Sequence, residues 1–181
     1  MMNPLKSTLL ALAFSVLAPA TLQAAAPESF TVSEYSFKRP ATWEWVEVAS
    51  SMRKAQLKVS DPKITDSAEV VFFHFGPSDG GGVQANVERW YGQFKEPKAS
   101  INAKIEKVTV GGTEVTYVSA EGTYLSGMPG AARAEKAGYA LRGAIVAGKQ
   151  GSVFVKMTGP AALVKSADKD FKMLVESPLK K

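Results

Sequence analysis

Apolar and polar residues alternate two by two over most of this chain and change to a spacing of three and four in two segments only. In "FTVSEYSFKRP" the apolar positions Phe30, Val32, Tyr35 and Phe37 precede Pro40, which predicts an opening strand or a pair of short strands. "TWEWVEV" alternates as well, with Trp43 and Trp45 packing and Glu44 and Glu47 pointing outward. "KAQLKVSD" puts Ala55, Leu57 and Val59 on one face of a further strand, closed by Asp61-Pro62. From Ala68 to Phe75 the run "AEVVFFHF" is almost continuously apolar on both parities. A strand of that kind is covered on both faces, so it is expected centrally in the sheet, with helices on at least one side.

The three-and-four spacing first occurs in "VQANVERWYGQF", where Val83, Val87, Trp90 or Tyr91, and Phe94 recur on one side and Gln84, Glu88, Arg89 and Gln93 on the other. This predicts an amphipathic helix of about three turns. Alternation then resumes in "AKIEKVTVGGTEVTYVSAEGTYL", a hairpin turning at Gly111-Gly112. "SGMPGAARAEKAG" has no clear period and reads as an exposed loop, and "YALRGAIVAGKQGSVFVKMTG" as a second hairpin turning at Gly148 to Gly151. The closing segment starts a helix at Pro160, spaces Leu163 or Val164, Ala167, Phe171, and Leu174 or Val175 on one face, and stops at Pro178. Strands, helix, strands, helix is the order of an α+β domain with a mainly antiparallel sheet packed between helices.

Composition adds a compartment. Lys6, the apolar stretch Leu9 to Ala18 and the small residues Ala24 to Ala26 form the three parts of a secretory signal over residues 1–26, with cleavage expected after Ala24 or Ala26. The apolar stretch is broken by Pro19 and falls short of the roughly 20 residues a spanning helix needs, so no stable membrane anchor is expected. Residues 27–181 then form one domain, periplasmic or secreted. The chain has no cysteine, which removes disulfides, lipid-modified cysteine and thiolate chemistry together. Removing Lys6 from the 22 basic residues leaves 21 against 17 acidic ones, and they are dispersed, which suits solubility and not nucleic-acid binding.

Candidate chemistry is sparse. "GPSDGGGVQA" sits between a strand and a helix start, the setting of an anion cradle, but a P-loop needs Lys and Ser or Thr where Gly82 and Val83 stand, and Asp79 brings negative charge into the cradle. A turn shaped by the glycines with Ser78 or Asp79 explains the stretch better. His74, the one histidine, lies within the apolar run without metal-ligand spacing, and reads as a sheet histidine with a hydrogen-bond partner; the alternative is a general base beside Ser78 in an envelope hydrolase. Glu44 and Glu47 beside Trp43 are the alternative acid and base, and exposed Trp43, Trp45 or Trp90 would suit a glycan-binding or chaperone-like module. No cofactor is expected. The surface residues selected for partner contact are Asp79, Asn86 and Arg89, with Gln93 on the same polar helix face.

"YSFKRPATWEWVEV", with Phe37, Pro40 and Trp43, resembles the opening of the PsbP-like and Mog-type superfamily, and the succession of middle helix, antiparallel strands and closing helix follows the same course to Ser177 and Pro178. The chain looks like an exported bacterial branch of it. The resemblance implies an α/β/α sandwich and a binding or assembly role, exerted on photosystem II by photosynthetic members and on a small GTPase by Mog-type ones. An exported bacterial chain meets no cytosolic GTPase, so the expected partner is another envelope protein or a cell-surface component.

Overall fold

A computed structural model of the chain describes residues 26–77, 81–127 and 132–180. Residues 1–25 of the expected signal segment lie outside that range, as do Ser78, Asp79 and residues 128–131 of the glycine-rich loop. The elements are β1 (Ser29–Val32), β2 (Tyr35–Lys38), β3 (Glu44–Trp45), β4 (Arg53–Asp61), β5 (Ile64–His74), α1 (Gly82–Tyr91), β6 (Lys104–Val110), β7 (Thr113–Ser126), β8 (Ala134–Val146), β9 (Val153–Pro160), α2 (Ala161–Ser166) and α3 (Asp168–Glu176). β1 and β2 form a separate hairpin; the other strands make one seven-stranded sheet in the order β3-β4-β5-β9-β8-β7-β6, antiparallel at every pairing. The α+β, mainly antiparallel architecture is therefore as expected.

Period-two alternation divides the side chains of this sheet into two cores. On one face Ala55, Leu57, Val70, Phe72, Val155 and Met157 pack with Leu163, Phe171 and Leu174 of α2 and α3, and with Phe30 and Phe37 of the β1-β2 hairpin. Phe72 is the hinge of this packing, with its ring 5.0 Å from those of both Phe30 and Phe37. On the other face Val118, Ala120, Leu141, Ile145 and Phe154 pack with Val87, Trp90 and Tyr91 of α1. The doubly apolar run in β5 is thus covered on both sides, although the central strand of the seven is β9 and β5 lies beside it.

Two glycine positions decide local geometry. Val110 pairs with Thr113 across Gly111 and Gly112, whose φ values of +54° and +83° are those of a two-residue hairpin turn that β-carbon-bearing residues resist. Gly143 of β8 lies under the indole of Trp90: a β-carbon there would come within 2.2 Å of the ring. The close approach of α1 to the sheet depends on that missing side chain.

Three expectations are corrected. The strand around the tryptophan pair is only Glu44–Trp45. The supposed loop "SGMPGAARAEKAG" is strand at both ends, because β7 runs to Ser126 and β8 begins at Ala134; cross-strand pairing supplies the order that the Ala, Lys and Gly composition conceals. The closing helix is two helices meeting at Ala167, whose ψ of −3° tightens the chain there. Hydrogen bonds from Ala167 N to Leu163 O (3.0 Å) and from Phe171 N to Ala167 O (2.9 Å) nevertheless carry the helical ladder across the join.

Candidate functional site

Of the residues selected from the sequence, Asn86 and Arg89 come together on α1. Asp79 lies outside the described residues. Asn86, expected on a wet helix face, is 2% exposed. Its Nδ2 donates to Gly82 O at 2.7 Å and its Oδ1 accepts from Arg89 at 2.8 Å, so it fastens the first turn of α1 instead of meeting a partner. Gly81 occupies the N-cap position of that turn with φ +114° and has no side chain to cap it. The amide-to-carbonyl bond from Asn86 is an internal tie for this start. Arg89 does lie on the exposed side of α1.

Trp43 and Trp90 are 2% and 6% exposed, which removes both as sugar-stacking platforms. Trp45 is half-buried against Phe30 and its Nε1 donates to Glu47 Oε1 at 2.8 Å, while Glu44 is engaged by Lys58 at 3.0 Å. The two carboxylates therefore serve different local partners. His74 ends β5, half-buried, with Nε2 3.0 Å from the carbonyl oxygen of Gln150. Its hydrogen bond is to the β8-β9 turn, as a sheet histidine's would be.

Polar chemistry converges elsewhere, on the sheet face that carries α1 but beyond the end of that helix. Alternation turns Glu69 and Phe73 of β5 and Lys156 and Thr158 of β9 toward this face, which is the parity opposite to Val70, Phe72, Val155 and Met157. A register shift between Gly122 and Tyr124 in the β7-β8 pairing re-aims the end of β7. The segment after α1 then pairs with it: Leu125 N donates to Gln93 O at 2.8 Å and Lys95 N to Thr123 O at 2.9 Å. Those bonds pin Gln93, whose side-chain oxygen accepts from Tyr124 OH at 3.0 Å and from Lys156 Nζ at 3.1 Å; Lys156 Nζ also lies 3.3 Å from Tyr124 OH. The result is a basin of about 510 Å³ lined by these groups, Arg53, Lys136 and Tyr139.

The walls of the basin are aromatic and its ions are mostly paired. Tyr124 and Tyr139 lie with ring centroids 6.4 Å apart and planes 14° from parallel. Tyr139 OH donates to Asp66 Oδ2 at 2.6 Å, and the same carboxylate oxygen is 3.7 Å from Lys136 Nζ. Burial, then the hydrogen bond and charge of Asp66, push the Tyr139 phenol up to about 12. Arg53 forms an ion pair with Glu69 and donates to Gln56 Oε1 at 2.7 Å. Burial pushes the Lys156 ammonium down to about 8, with Glu69 opposing that shift and Arg53 adding to it.

Two of the other hollows each hold a charged group that is already partnered. One of about 560 Å³ near Tyr35 holds Glu34, which accepts from Lys149 N at 2.6 Å. One of about 340 Å³ beside α2 holds Arg142, which is bonded to Asp168 at 2.6 Å. Among the described residues no group of three or more His, Asp or Glu side chains is arranged to hold a metal ion, and no helix is long and apolar enough to cross a membrane.

The basin was not legible beforehand because its members come from five strands and one helix end. Only one signal pointed to it: Lys156 in "GSVFVKMTG", a lysine inside a strand otherwise apolar at every position from Val153 to Met157.

Comparison of the sequence with protein-family profiles and with curated proteins gives no match. Among solved structures the chain is similar to the solution structure of cyanobacterial PsbP (CyanoP) from Synechocystis sp. PCC 6803, with a TM-score of 0.50 over 87% of this chain and 96% of that one, at 10% sequence identity. At that identity the likeness is one of fold, and the fold of this chain is PsbP-like.

Proposed function

We propose that this protein is an exported, non-catalytic binding or assembly module of the bacterial envelope, built as the α/β/α sandwich of the PsbP/Mog type, and that it holds its partner at the basin around Lys156. The observation that carries this reading is the convergence of Gln93, Tyr124 and Lys156 in a cavity of about 510 Å³ on an otherwise conventionally packed sheet. A largely preformed concavity with a few fixed polar groups and aromatic walls is the usual form of a binding site. The PsbP-like fold supports a binding role in the same direction. Export rests on the sequence of residues 1–26 and is part of the proposal.

The test is capture of partners from the organism's own envelope extract by wild-type protein, by Tyr139→Ser in the basin wall, and by Met173→Ser on the exposed side of α3, where Met173 is 50% exposed. Loss of a reproducible partner with Tyr139→Ser but not with Met173→Ser is expected. Retention by all three proteins would move the partner surface away from the basin. Arg89→Ser in the same capture tests whether the exposed side of α1 also touches the partner: loss of the partner with this variant would add that side to the contact.

A further inference from the structure

We propose that the Lys156 basin recognises a carboxylate carried on an aromatic or apolar body, a ligand chemistry that rests on reading the basin as the binding surface. The first argument is charge accounting. Arg53 is paired with Glu69, and Lys136 with Asp66, which also accepts from Tyr139. Lys156 meets only neutral oxygens, those of Gln93 and Tyr124, and among the described residues no carboxylate lies within 4.0 Å of its Nζ. Among the residues lining the basin the unbalanced charge is thus a single positive one; Arg133, whose charge reaches Tyr124, stands outside the lining.

An ammonium group has three donors, and two of them are occupied here. Taking a cation out of water without a counter-ion is costly, and the lowered proton affinity of Lys156 reflects that cost. A carboxylate is acceptor-only, carries one charge and restores what the protein withholds. A phosphate dianion would need a second unpaired cation in the lining, where Arg53 and Lys136 are already committed.

The second argument is shape. Phe73, Tyr124 and Tyr139 present ring surface around the ammonium, and the basin has room for a ring-bearing acid. Aromatic surface beside a charged anchor selects a ligand with an apolar body and an acidic end.

Binding should also be linked to protons. A bound carboxylate favours the charged ammonium, so binding takes up protons near pH 8 and weakens as pH rises above it. Calorimetric titration of the protein with phenylacetate, with a tetrapeptide ending in phenylalanine with a free carboxylate, and with the amides of both provides the test. Each acid is expected to bind at least about 10-fold more tightly than its amide, to lose about 10-fold or more in affinity between pH 7 and pH 9.5, and to weaken at least 10-fold in Lys156→Met but not in Lys169→Met. Proton uptake at pH 8.5 is read from the dependence of the heat on buffer ionisation enthalpy.

A peptide at least 10-fold tighter than phenylacetate identifies a protein C-terminus as the source of the carboxylate; equal affinities identify a small acid. Binding of acid and amide alike, affinity independent of pH, or no binding at millimolar acid overturns the proposal. The acid-to-amide and pH comparisons use wild-type protein, so they hold even if a variant is poorly folded. Failure of all acids while Tyr139→Ser still releases the envelope partner would leave the basin as the binding surface and remove only the carboxylate. If that substitution releases nothing, the basin reading itself fails.

Discussion

Lys156 illustrates at the residue scale how an interior strand position acquires a cost that local sequence does not show. Its neighbours Val155 and Met157 are fully buried on the opposite face, and β5 and β8 flank it, so its stem is held in the sheet and its ammonium is drawn from water. Because the folded-state value, about 8, lies below the ordinary 10.5, the unfolded chain holds more protons between those limits. Stability contributed through this group therefore rises as pH goes from 8 toward 10.5, and below pH 8 the full penalty applies. Lys156→Met, which keeps the stem, is expected to raise the stability of the unliganded protein at pH 7 by on the order of 1–3 kcal/mol, a gain that shrinks as pH passes 8 and is gone near 10.5. Urea unfolding of both proteins across that range checks it, the difference between them cancelling the tyrosines; a gain independent of pH would assign the effect to packing. The same scale explains the failure at Asn86. Polar residues at helical spacing read as a wet face, but at a start whose N-cap, Gly81, has no side chain this amide ties inward to Gly82 O.

At the scale of elements, α1 stays on the sheet because Gly143 lets Trp90 descend onto β8. Gly143→Ala is expected to force the indole outward and cost about 1–3 kcal/mol, a typical penalty for overpacking a close contact. Thermal unfolding followed by tryptophan fluorescence measures both the loss and the exposure of Trp90. A change below about 0.5 kcal/mol would mean that α1 shifts without cost. The helix also places the basin: its end at Tyr91 and the pinning of Gln93 to Leu125 leave the β5-β9 part of this face open to the ligand. Period-two alternation was enough to find β4 and both later hairpins, including the turn at Gly111-Gly112, and a continuous apolar run to find β5. It could not show that "ARAEKAG" belongs partly to β8, because those residues are ordered by pairing with the end of β7 and not by burial.

At the scale of the whole molecule the fold is PsbP-like, and residues 1–26 are proposed as an export signal. If residues 1–26 act as a signal, the protein recovered from the envelope begins after Ala24 or Ala26, which N-terminal mass mapping reads directly; a chain still carrying Met1 would count against export. Two cores on the two faces of one sheet make it large enough to fold without disulfides, which the absence of cysteine requires. By itself the sequence determined the α+β class, most strands, the middle helix and the resemblance to PsbP-like proteins, since periodicity, turn glycines and prolines act over a few residues each. Tertiary structure alone decided the strand order, the burial of Trp43, Asn86 and Trp90, and the assembly of Arg53, Glu69, Gln93, Tyr124, Tyr139 and Lys156 into one basin. Those residues are spread across more than a hundred positions, and only the pairing of β5 with β9, and of the α1 end with β7, brings them within hydrogen-bond reach.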